Sequence, residues 1–145
     1  MVRLSYRAVL KPEARGKGFV VTFPDLPEAL TGGRNLTESL SEAADCLGEA
    51  LAFRMVEKKD IPRPSAPRKG QLLIDIPLYL APKVGLYTAM RRIRMTNSEL
   101  ARRLGYTETV VRRMLNPRHH SRPESMQAAL AAVGQRILVL VDDAA

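Results

Sequence analysis

The sequence predicts an α+β fold in two parts, a small β-β-α-β unit and then an all-helical unit that ends in a strand. Three patterns predict it. Apolar and polar residues alternate near the N-terminus, the period of a half-buried strand. Over residues 36–57 the apolar positions recur at three- and four-residue steps, the period of an amphipathic helix. From Ala81 onward a helical pattern resumes, interrupted near Met95, Gly105 and Asn116-Pro117. The boundary therefore falls near residue 80, giving parts of 1–79 and 80–145.

The first strand is "RLSYRAVL", with Leu4, Tyr6, Ala8 and Leu10 on one side and Arg3, Ser5 and Arg7 on the other. "KPEARGKG" supplies Pro12, Gly16 and Gly18 for a hairpin connection. "FVVTFPDL" is β-branched and aromatic, a second strand that Pro24 stops, and "TGGRN" reads as a turn. The helix that follows buries Leu36, Leu40, Ala43, Ala44, Leu47, Leu51 and Met55, with Asn35 or Thr37 placed to cap it. "EKKDIPRPSAPRKG" holds three prolines and no periodicity, so it is a surface connection. "QLLIDIPLYL" is short, apolar and closed by Pro77, a strand returning to the sheet. At the other end "QRILVLVDD" has five consecutive apolar residues, a strand that needs a sheet to join. A twofold-related copy or another segment of the same chain would provide one.

Hydrophobic content of 46% and charged content of 26% exclude a disordered chain. No apolar run reaches the roughly 20 residues that span a bilayer, and the start lacks the apolar core of a secretory signal. A cytoplasmic protein with no membrane partner is expected. The single cysteine, Cys46, excludes an internal disulfide and reads as a small core residue of the helix. The net charge of +8 is unevenly placed. Residues 1–82 carry 12 Lys+Arg against 10 Asp+Glu, residues 83–122 carry 10 against 2, and residues 123–145 carry 1 against 3. A block of one sign suits a polyanion, whose condensed counterions it releases.

That block contains "TNSELARRLGYTETVVRRML". Thr96 followed by Glu99 fits a capping box, so a helix should start at Asn97, with Leu100, Ala101 and Leu104 turned inward. Gly105 suits a tight turn, and Thr107 would cap a second helix with Val110, Val111, Met114 and Leu115 inside. Two helices crossing steeply need a small residue near the turn, and Ala101 stands four residues before the glycine. This spacing resembles the helix-turn-helix motif of DNA-binding proteins. The outward residues of the second helix, Thr107, Glu108, Thr109, Arg112 and Arg113, are then the ones presented to base edges in the major groove. Thr96, Asn97 and Ser98 open the first helix, where unpaired amides suit a phosphate. Arg118 and Arg122, with His119 and His120, would add backbone contacts from "NPRHHSRP". The histidine pair has no cysteine or carboxylate at ligand spacing, so neither a metal nor a cofactor is expected.

"YRAVLKPEARGKGFVVTFPDLPEALTGGRNLTESLSEAADCLGEAL", continuing through "IDIP", resembles the N-terminal domain of HicB-family antitoxins. "MTNSELARRLG" to "NPRHHSRPESMQAALAAVG" resembles the helix-turn-helix tail of one branch of that family. The resemblance covers nearly the whole chain. It implies a partial ribonuclease-H-like first domain that binds and masks HicA, a small basic mRNA-cleaving toxin. It also implies a second domain that represses its own operon by holding double-stranded operator DNA. Where the family often has Gly-Cys after "FPDLP" and Gly-Asp after the next turn, this chain has "EAL" and "GGRN", which bears on a loop rather than on the fold. On the implied toxin-facing side, Glu38, Glu42, Asp45 and Glu49 give the first helix an acidic face able to meet a basic partner. Asp25, within "FPDLP", is expected to face the partner or fix a loop. A homo-oligomer, dimer or tetramer, follows from the paired half-sites such motifs read.

Catalysis is not expected. A ribonuclease-H site needs several converging carboxylates, and only Asp25, with Asp75 a distant second, lies near a strand end in the right region. No Ser-His-Asp set, glycine-rich phosphate cradle or HExxH pattern is present. The competing reading is a stand-alone helix-turn-helix repressor whose first domain senses a small molecule. An RNA-binding module is disfavoured because aromatics make up only 5% of the residues, too few for a row of stacking platforms.

Overall fold

The computed structural model describes residues 1–143. Its elements run β1 (Ser5–Pro12), β2 (Phe19–Phe23), β3 (Leu26–Gly33), α1 (Leu36–Val56), β4 (Leu72–Asp75), α2 (Ala81–Ile93), α3 (Asn97–Leu104), α4 (Glu108–Leu115) and α5 (Pro123–Ala132). The chain divides into two compact units, Met1–Ala81 and a second beginning at Pro82. The class is α+β, as the sequence predicts.

In the first unit the strands form one antiparallel sheet in the order β3-β2-β1-β4, and α1 packs on it. The period-two pattern puts Tyr6 and Ala8 of β1, Val21 and Phe23 of β2 and Ile74 of β4 into the core. Ala43, Leu47, Leu51 and Met55 meet them from α1, on the stripe the helical period predicts. Asn35 is the cap: its Oδ1 accepts the Glu38 N–H at 2.8 Å. Cys46 is only half-buried, at the margin of this core.

β3 departs from the sequence reading, which saw a turn there. Pro24 and Asp25 make a two-residue hairpin turn, with Phe23 paired to Leu26. The register then shifts, so that Thr22 pairs with Leu30 and Phe19 with Gly33. Pro27 hides the strand from a pattern search, and so do Gly32 and Gly33, which look like turn residues. They are glycines for want of room. A Cβ on Gly32 would lie 2.5 Å from the Phe19 carbonyl oxygen, and one on Gly33 2.6 Å from the Ser39 nitrogen at the start of α1.

The proline-rich connection between α1 and β4 is fastened at three points. Tyr6 Oη donates to the Pro62 carbonyl at 2.6 Å, and Arg54, paired with Glu28, donates to the Asp60 carbonyl at 2.8 Å. Asp25 is the third, accepting from the Ser65 N–H (3.0 Å), the Ser65 hydroxyl (3.0 Å) and Arg7 Nη2 (3.2 Å).

In the second unit, α2 ends where Arg94 takes a left-handed φ of 55°. Thr96 caps α3, accepting the Glu99 N–H at 3.1 Å. Gly105, at φ 71°, closes α3 with Gly105 N–H to the Arg102 carbonyl and Tyr106 N–H to the Ala101 carbonyl. Leu86, Met90, Leu100, Ala101, Val111, Met114, Met126 and Leu130 form the core. Of the two expected partners for the terminal strand, the same chain supplies none: residues 135–143 form neither helix nor strand here. Ile137 packs on the core, whereas Leu138, Val139, Leu140 and Val141 are exposed, the last two by 85% and 96%. A strand is defined by a neighbour's ladder, and none of the described residues supplies one to this segment.

Burial would raise the Asp25 pKa, but the bonds from Ser65 and Arg7 outweigh it and hold the carboxyl below its ordinary value. Stability from a carboxylate depressed in this way is present above its unfolded pKa and lost as the pH falls through the folded one. Asp25→Asn should therefore cost about 1–3 kcal/mol near neutral pH. The gap from wild type should close in acid, below the usual carboxylate range, when urea unfolding is followed against pH. An unchanged gap throughout the acid range would rule out an ionic origin.

Candidate functional site

The surface formed by α3 and α4 is built on two eight-residue helices joined by a short turn, an arrangement compatible with the helix-turn-helix reading. Val111 and Met114 are buried, Val110 and Leu115 half-buried, so the remaining positions of α4 face outward. Thr107, Thr109, Arg112 and Arg113 are exposed, and Glu108 is half-buried. Thr107 occupies the N-cap position in extended conformation, but its hydroxyl makes no capping bond. It is thus available to another partner.

Four of the predicted residues are linked. Thr96 starts α3, Asn97 follows it, and the Asn97 side chain bonds to the Glu108 carboxylate across the turn. Glu108 in turn pairs along α4 with Arg112, at 3.4 Å from Nε and closer through Nη2. The bond from Arg112, first, and then its charge and the bond from Asn97 hold the Glu108 carboxyl below its usual range. Ser98 is exposed in the first turn of α3. Arg118 and Arg122 are exposed on the segment between α4 and α5, as are His119 and His120. The Arg118 N–H donates to Asn116 Oδ1 at 2.9 Å, which shapes this loop, and the Arg122 carbonyl accepts the Met126 N–H that opens α5.

Two members of the basic block are turned to structural use. Arg103 donates to the Ala132 carbonyl at 3.0 Å, joining α3 to the end of α5. Lys83 is 1% exposed. Its Nζ donates to the Met114 carbonyl (2.8 Å), the Arg113 carbonyl (3.2 Å) and the Ser121 hydroxyl (2.8 Å). Burial pushes its pKa down to about 8. The available signal was position: Lys83 lies at helical spacing from Leu86, Tyr87 and Met90, on the buried stripe of α2.

In the first unit, Glu42, Asp45 and Glu49 are exposed at four- and three-residue steps on α1, a continuous acidic line. Glu38, half-buried at its start, is used locally. It accepts from Arg34 Nε at 2.9 Å and from the Arg34 N–H at 3.3 Å, and it is held below the usual carboxylate range by that arginine. The same steps continue to Phe53 and Val56, both more than half exposed, which the sequence reading did not single out. Lys59 Nζ lies 5.3 Å from the Phe53 ring centroid. Asp25 stands apart from this line, its side chain 9% exposed and bonded inward to Ser65 and Arg7. Asp75, on β4, accepts from the Ser5 hydroxyl. Among the described residues no three His, Cys, Asp or Glu side chains are grouped to hold a metal ion, and no helix is long and apolar enough to cross a membrane.

Comparison with known proteins places the chain in a family. Residues 5–85 match the model of the "HicB_like antitoxin of bacterial toxin-antitoxin system". The chain is 37% identical over 131 residues to Antitoxin HicB 2 of Photorhabdus laumondii, covering 90% of this chain and 93% of the relative. It is 35% identical over 139 residues to Antitoxin HicB of Escherichia coli strain K12, covering 95% of this chain and 100% of the relative. A third relative, Antitoxin HicB of Pseudomonas fluorescens, is 33% identical over 121 residues, 83% of each chain. The family model ends close to the boundary of the first unit, whereas the relatives extend through both.

Proposed function

The chain belongs to the HicB-like antitoxins of bacterial toxin–antitoxin systems, and on that premise we propose that it masks a HicA-like mRNA-cleaving toxin and represses its own operon by holding operator DNA. The observation that carries the division of labour is the charge. The first unit is nearly balanced, whereas residues 83–122 concentrate ten cations against two anions around α3 and α4. The part spanning residues 1–79 is the toxin-binding domain and 80–145 the DNA-binding domain. Both duties are non-catalytic, and both belong to the cytoplasm, where mRNA and operator are found.

On the toxin side, Glu42, Asp45 and Glu49 offer charge complementary to a small basic protein, and Phe53 and Val56 offer apolar area beside it. Asp25 acts from behind, by fixing the connection that follows α1. On the DNA side, Thr107, Thr109, Arg112 and Arg113 are the base-facing set. Thr96, Asn97, Ser98, Arg118 and Arg122 position the backbone. Glu108 belongs to the base-facing set and, through its pairing with Arg112, orients that arginine. A homo-oligomer fits the exposed run Leu138–Val139–Leu140–Val141, which gains a ladder by pairing with a second copy.

Three outcomes are expected. Co-expression with the small basic protein encoded beside it should abolish that protein's growth arrest, and Glu42→Lys with Glu49→Lys should restore the arrest. A neighbour that is harmless alone would leave the first unit to the rival role of small-molecule sensor. Arg112→Ala and Arg113→Ala should each weaken operator binding by about 1–3 kcal/mol in titrations against labelled duplex. Equal loss on random duplex would assign the residue to phosphate, and no loss from either would remove α4 from the interface. Deleting residues 135–145 should convert the oligomer to a monomer in sedimentation experiments; an unchanged mass would exclude the tail as the joint.

A further inference from the structure

We propose that Lys83 is a positioning residue for DNA recognition, one that sets the seat of α4 and of the loop after it and so governs discrimination between operator and other DNA. The inference rests on the DNA-binding reading of the second unit and extends it to a residue that touches no DNA.

The geometry is that of a three-way pin. The ammonium group has three N–H bonds and finds three acceptors, the Arg113 and Met114 carbonyls and the Ser121 hydroxyl. The two carbonyls belong to the last turn of α4, where the helix dipole favours a cation; the Arg113 carbonyl also accepts the Asn116 N–H at 3.1 Å, so Lys83 adds to that cap. Ser121 lies between His120 and Arg122, the N-cap of α5, in the loop that also carries Arg118 and His119. One amine on α2 therefore ties the end of the base-facing helix to Ser121, within the segment assigned to the phosphates. Within α4 only Val111 and Met114 are fully buried, and apolar contacts resist sliding less sharply than directional bonds do.

The choice of lysine is itself informative. A methionine of similar length would fill the same space without the cost of taking a charge out of water. Burial is already felt by the amine, whose pKa is lowered to about 8. Directional bonding to three acceptors is what the lysine adds. Base readout needs side chains placed to within a fraction of an ångström, whereas attraction to phosphate tolerates a tilted helix.

The test uses the full chain, duplex from its own upstream region and random duplex of equal length, at a temperature well below the melting midpoint of each variant. Lys83→Met should lose roughly tenfold or more in operator affinity while its affinity for random duplex is unchanged. Ser121→Ala, which removes one bond and keeps the cation, should narrow the operator-to-random ratio in the same direction by less, and it provides the reading should Lys83→Met not fold. A folded Lys83→Met with wild-type operator affinity would overturn the proposal, as would equal losses on both duplexes or an unchanged ratio in Ser121→Ala. A wild-type chain that itself shows no operator preference would instead defeat the DNA-binding reading on which the proposal stands.

Discussion

An eight-residue helix cannot satisfy its own ends. Four N–H groups at the start and four carbonyls at the finish lack intrahelical partners, so in α3 and α4 the unsatisfied groups are as numerous as the helix is long. Everything specific about the second unit answers this constraint. Thr96 takes an amide at the start of α3, Gly105 folds the chain so that the next amides reach back to its last carbonyls, and Lys83 supplies donors to the end of α4. The apolar cluster beneath supplies the bulk of the driving force, but hydrophobic burial is non-directional and would tolerate many helix orientations. The polar ends select one of them.

The first unit meets a different demand, that of bringing a helix down onto a sheet whose outer strand is interrupted. Close approach at Gly33 lets the start of α1 touch the end of β3, and Gly48, whose Cβ would stand 3.1 Å from Pro77, lets the middle of α1 approach the chain leaving β4. The connection that returns from α1 to β4 cannot hold itself by secondary structure, given three prolines within Ile61–Pro67. Its fastening by Tyr6, Arg54 and Asp25 replaces the backbone ladder that proline denies it. Helix surface and connection are thereby made into one rigid side of the unit, with the acidic line of α1 left facing solvent.

Local rules made much of this legible before any coordinates. Alternation located β1 and β2, the three-and-four spacing located α1, and capping chemistry placed the start of α3 at Asn97 and its turn at Gly105. Local rules also account for what was missed. β3 contains a proline and a glycine pair whose reason is steric contact with Phe19 and Ser39, invisible along the chain. Lys83 meets its partners thirty or more residues away, and Asp25 meets Ser65 forty residues away, so the chemistry of each depended on the fold rather than on its neighbours in sequence. The terminal apolar run has strand composition, yet composition cannot supply the second edge a strand requires. The candidate surface divides in the same manner: the exposed positions of α4 follow from periodicity, while the Asn97–Glu108–Arg112 chain of bonds follows from how two helices cross.

That terminal run has a consequence beyond assembly. On the proposed reading, in which Leu138–Val141 pair with a second copy, pairing is second order in the amount of chain, so the population able to span two half-sites would grow faster than the protein itself accumulates. A gene repressed in this way would stay open while its product is scarce and shut over a narrow range of abundance. Four exposed apolar residues would thus serve as a gauge of dosage.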